Sequence, residues 1–156
     1  MRSKKGMLRK GRVVATLLIA TFTMGACGMM MHHLAHGRVP VPAESEFGLD
    51  ARPTMNGLYT VAVVPAAPLV KGKLQTVRLE IVNKQGAPVS GAAISVDGGM
   101  PQHGHGLPTK PRARAASDAG QYVVDGVKFN MGGWWELKFA VSTAAGSDSV
   151  TFNIRL

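Results

Sequence analysis

The chain has 156 residues, which allows one ordinary domain and a leader. Its formal net charge of +9 points at first to nucleic acid. But six of the 18 basic residues (Arg2, Lys4, Lys5, Arg9, Lys10 and Arg12) precede the first apolar run, and the remainder carries about +3 with no basic–aromatic interleaving, which sets nucleic acid aside.

Residues 1–27 read as a signal peptide or membrane anchor. A basic stretch is followed by the apolar run Val13 to Ala26, with small residues before Cys27. Gly25-Ala26-Cys27 resembles the end of a bacterial lipobox, which implies lipidation of Cys27 as the mature N-terminus; Met24 stands where Leu is usual. A competing reading is an uncleaved anchor, because 13–31 is free of charge over a length close to the ~20 residues that span a bilayer. Ordinary cleavage is a third. All three place the rest of the chain outside the cytoplasm, on the periplasmic side of the cell envelope, and the basic flank favours that orientation. Cys27 is the only cysteine, so an internal disulfide framework and any CxxC site are excluded.

Residues 28–56 read as a flexible tether. Met29, Met30, Met31, His32, His33 and His36 open it. Thioether and imidazole donors together suit copper, above all Cu(I); the plainer alternative is that the methionines extend the apolar run and the histidines flank it. Residues 37–56 hold three prolines and no clear period.

From residue 57 to 156 the pattern predicts an all-β, immunoglobulin-like antiparallel sandwich of about seven strands. Apolar residues alternate with polar ones in Tyr59-Val61-Val63, Val77-Leu79-Ile81, Ala92-Ile94-Val96, Trp135-Leu137-Phe139-Val141 and Val150-Phe152-Ile154. Turn signals at 83–86, 117–120 and 145–148 separate such runs. The expected strands are 58–64, 74–82, 89–97, 110–116, 120–130 (broken at Asp125-Gly126), 134–142 and 148–156. If consecutive strands alternate in direction, the connections 65–73, 98–109 and 131–133 fall at one end.

The segment GGMPQHGHGLPTKP, Gly98 to Pro111, packs Met100, His103 and His105 among glycines and prolines, which is loop chemistry. Histidines two apart in extended backbone point to the same side, with Cα atoms about 6.5–7 Å apart, so both rings can converge on one ion. Met131 joins them from the neighbouring turn if the strand alternation holds. A set of Met100, His103, His105 and Met131 suits copper before zinc, and Asp97 is placed to orient a histidine. The plainer alternatives are a hydrogen-bonded loop for the histidines and a plug of the sandwich end for Met131. Trp134 falls on the polar-facing register, where it could cover a surface or meet a partner; Trp135 is expected in the core. Lys110, Arg112 and Arg114 read as a solvated edge. There is no G-x-S-x-G elbow and no carboxylate pair of suitable spacing, so the chain is not expected to be an enzyme.

Gly98-Gly99-Met100-Pro101-Gln102-His103-Gly104-His105-Gly106, Pro108, Gly120-Gln121-Tyr122 and Phe129-Asn130-Met131-Gly132-Gly133-Trp134 occur in an order that resembles the YtkA-like domain, related to FixH-type proteins. The resemblance spans about 57–156. It implies a cell-envelope β-sandwich linked to copper handling or to assembly of copper-containing respiratory oxidases, with Met100, His103, His105 and Met131 as ligands. Many relatives carry a Met-rich version of this loop, whereas this one is His-rich. The expectation is therefore a membrane-tethered copper carrier or chaperone. The alternative is a metal-free domain that docks to a membrane protein complex.

Overall fold

A computed structural model describes residues 39–156. The leader, Cys27 and the Met/His tract at 29–36 lie outside them. The strands are β1 (Arg52–Pro53), β2 (Tyr59–Pro65), β3 (Leu74–Asn83), β4 (Ala93–Met100), β5 (His105–Gly106), β6 (Arg112–Ala115), β7 (Gln121–Lys128), β8 (Trp134–Thr143) and β9 (Gly146–Arg155). They form two antiparallel sheets, one in the order β1-β2-β3-β7-β6 and one in the order β5-β4-β8-β9. The alternating apolar residues become the facing layers: Val61, Leu79 and Val124 from one sheet meet Trp135, Leu137, Phe139 and Phe152 from the other, all fully buried. The Phe129 and Trp135 rings meet edge to face at 5.2 Å, an arrangement that contributes about 1 kcal/mol beyond its burial.

All seven expected strands are present, and the sandwich is as the period predicts. Two features differ. The strand expected at 89–97 begins at Ala93 and runs on to Met100. Residues 88–89 stay with the first sheet, where Pro88 bridges Val82 and the Val89 N–H donates to the Ile81 carbonyl. The Tyr122 hydroxyl then pins the crossing, donating to the Val89 carbonyl and accepting from the Ala92 N–H. The second difference lies in residues 44–56, expected as part of a flexible tether. They pack on the domain: Phe47 bridges Asn153, Gly48 N–H donates to the Asn153 carbonyl, and Leu49 accepts from Val63 N–H. The pattern misses this because each contact pairs the segment with a strand far along the chain.

The predicted break at Asp125-Gly126 is a β-bulge. Gln75 pairs Val127 and Val77 pairs Val124, so β7 carries the extra residue opposite Thr76. Gly126, at φ +84°, takes the left-handed conformation the bulge needs. The strand alternation also holds at the site. Gly99 of β4 lies opposite Glu136 of β8, and Lys71 bridges Phe129, so the connections after β2, β4 and β7 gather at one end.

Candidate functional site

The end of β4 turns back as a hairpin. Pro101, with its fixed φ, starts the turn, and the Met100 carbonyl accepts both His103 N–H and Gly104 N–H at 3.0 Å. Gly104 closes the turn at φ +64°. His105 then pairs Met100, and Gly106 pairs Gly99. Two glycines make this approach possible. A Cβ on Gly98 would run into the Glu136 carbonyl oxygen, and one on Gly99 into that of His105. The backbone between the histidines is thus left-handed at Gly104 rather than extended. Even so, the two rings face each other, with centroids 6.0 Å apart and planes 23° from parallel. Both residues are exposed, and neither imidazole hydrogen-bonds another group among the described residues.

The neighbouring turn is fixed from the core. The Trp135 indole N–H donates to the Met131 carbonyl at 3.0 Å, and Gly133 exchanges backbone hydrogen bonds with Leu156. Met131 itself is 38% exposed. Met100 departs from the expected set. It is 2% exposed and belongs to the core, with its terminal methyl 3.2 Å from where a Cβ on Gly133 would stand. As placed, Met100 is the floor under the hairpin, and its position links the two turns. Its sulfur does not face solvent because β4 stays in register with β8 up to this residue and the alternation turns Met100 inward.

An open cleft of about 280 Å³ flanks the hairpin, lined by Asp97, Gly99, His105, Gly106, Glu136 and Lys138. Lys138 pairs with Glu136 at 2.8 Å. Asp97, expected to orient a histidine, accepts instead from the Gly98 N–H at 2.7 Å and lies opposite Lys138 in the sheet. Among the described residues no three His, Cys, Asp or Glu gather as a metal site, so the donors at this end are two imidazoles and thioethers.

Trp134 is on the outer face as its register predicts, but it is only 7% exposed and its indole N–H donates to Asn153 Oδ1. It does not present a ring for docking. Arg112 and Arg114 lie on β6, an edge strand, with Arg114 paired to Asp125 at 3.1 Å. The sequence reading places nothing functional in 65–73, which shares the hairpin's end. Its signal is the run Val70-Lys71-Gly72-Lys73-Leu74, where lysines flank exposed aliphatic residues.

No curated protein matches the chain. Among solved structures it is similar to the ZirS C-terminal domain, at 17% identity and a TM-score of 0.39, over 97% of this chain and 100% of that one. A model of the YtkA-like family matches residues 50–140, a span that holds all four expected ligands and both turns. The chain belongs to the YtkA-like family.

Proposed function

We propose that this YtkA-like domain is a membrane-tethered, extracytoplasmic copper carrier or chaperone that binds and releases its ion without catalytic turnover. The observation that carries the reading is the pair of exposed imidazoles facing each other at 6.0 Å. The rings are stacked now, with their faces rather than their nitrogens towards each other, but both side chains are exposed and can turn a nitrogen each onto one ion at metal–nitrogen bonds of about 2.0–2.1 Å. Two imidazoles leave room for a soft donor, and Met131 is the exposed thioether on the turn at the same end. Two imidazoles with a thioether favour copper, and Cu(I) in particular. Met100 supports the hairpin from below. An exposed, low-coordinate site suits exchange of the ion with a second protein, such as a membrane complex that receives copper.

The test is thermal unfolding of residues 39–156, which hold both sheets and the whole core described above, with Cu(I), Cu(II) and Zn(II). A ligand at 100 times its Kd adds about 2.7 kcal/mol, which a domain of this size registers as a rise of several degrees. A copper-induced rise should appear and should vanish in His103→Ala/His105→Ala, whose metal-free melting stays near that of the wild type because both positions are exposed. A copper response that survives in the double variant, or none in the wild type, defeats the reading.

A further inference from the structure

The hairpin's end carries a second surface. Val70, Leu74 and Met131 are exposed there, Leu74 by 68%. Lys71 and Lys73 flank them, and Lys128 stands directly opposite Leu74 in the sheet. The segment is held in place: Val70 and Gln75 exchange two hydrogen bonds of 2.8 Å, and Gly72 N–H donates to the Phe129 carbonyl. None of the three lysines joins an ion pair among the described residues. The nearest acid along β7, Asp125, is taken by Arg114 and Thr76.

We infer that this lip docks the domain on an anionic lipid surface, with Val70 and Leu74 entering the headgroup region and the lysines meeting lipid phosphates. The composition favours a bilayer over a protein partner. Protein hot spots are rich in Trp, Tyr and Arg, whereas both tryptophans here are buried and the lip is aliphatic and lysine-rich. Lysine stems lie along apolar surface while their ammonium groups reach the interface. Topology agrees. The Glu44–Arg155 ion pair and the Phe47–Asn153 bridge bring the described chain in at this same end, and the residues before it carry the apolar leader.

Because the leader would itself bind membranes, the test uses residues 39–156 in flotation with vesicles of phosphatidylcholine, with and without phosphatidylglycerol. A lysine near an anionic surface contributes about fivefold in partition, so anionic vesicles should be preferred by at least about tenfold, less at high salt. Lys71→Glu/Lys73→Glu should remove the preference. Leu74→Ser should weaken binding several-fold while the fold persists, and Lys84→Glu, in the turn at the far end of β3, should leave binding unchanged. Equal partition onto both vesicle types overturns the inference, as does a Lys84→Glu loss equal to that of the lip variant.

Discussion

Asp148, on β9, is 5% exposed and joins no ion pair among the described residues. Burial acts to raise its carboxyl. The hydrogen bonds it accepts from the Thr54 hydroxyl and from the backbone N–H groups of Leu58, Ser149 and Asn56 outweigh that and hold the pKa at about 2, against an ordinary 3.8. The Thr54 bond is short, 2.6 Å, and Asn56 Nδ2 adds another at 3.1 Å. Since the folded pKa lies below the unfolded one, the ionised carboxylate stabilises the fold fully above about pH 4, and that contribution is lost as pH falls from there towards 2. Asp148→Asn should therefore melt several degrees lower at pH 7, and its melting temperature should fall less steeply than that of the wild type between pH 4 and 2. Parallel pH profiles would show that Asp148 is not the group responsible. The imidazoles of His103 and His105 differ from this carboxylate in kind, for no group among the described residues holds them. That contrast is why the histidines read as a site and Asp148 as a clasp.

At the scale of elements, the hairpin β4–β5 depends on two glycines that tolerate no side chain, and they fail in different ways. Gly98 abuts Glu136 of the central strand β8, so Gly98→Ala strains the middle of the sheet, where overpacking costs about 1–3 kcal/mol. Gly99 abuts His105 of the short edge strand β5, which can peel away at less cost. Gly99→Ala should accordingly lower the metal-free melting temperature only slightly and still abolish the copper-induced rise, because His105 no longer faces His103. Melting curves with and without copper check both parts, and an intact copper response would show that the ring pairing does not need β5. The long strands were legible because period-two burial is a local property, and the bulge was legible because Asp125-Gly126 interrupts that period. β1 and β5 are two residues each, too short to show a period. That the turn at 131–133 shares an end with the histidine hairpin followed from strand direction alone. The burial of Met100 and Trp134 did not, since it depends on Gly133, Asn153 and the docked segment 44–49, all brought close only by the finished fold.

For the molecule as a whole, the decisive question is where the folding unit begins. The alternating pattern starts at residue 57, but β9 is an edge strand of ten residues, and an uncovered edge of that length invites pairing with another chain. Residues 48–55 cover it. The carbonyls of Ser149, Thr151 and Asn153 accept from Met55 N–H, Arg52 Nη1 and Gly48 N–H at 2.8, 3.3 and 3.0 Å. The Arg52 guanidinium also lies 4.7 Å from the centre of the Phe152 ring. Leu49 meanwhile ties the segment to Val63 on the other sheet, so it closes one side of the sandwich. At about 1 kcal/mol net for each hydrogen bond, removing these contacts and the Thr54 and Asn56 donors to Asp148 should cost several kcal/mol, a large part of the ~5–15 kcal/mol that holds a domain folded. A chain of residues 57–156 should then melt about 10 °C or more below residues 39–156 and self-associate through β9. Residues 44–156 should match 39–156 in both respects, since the first packed contact, Glu44 with Arg155, is retained. Melting and sedimentation of the three lengths decide the matter. A monomeric 57–156 that melts with the longer chains would mean that the sandwich closes without its N-terminal strap.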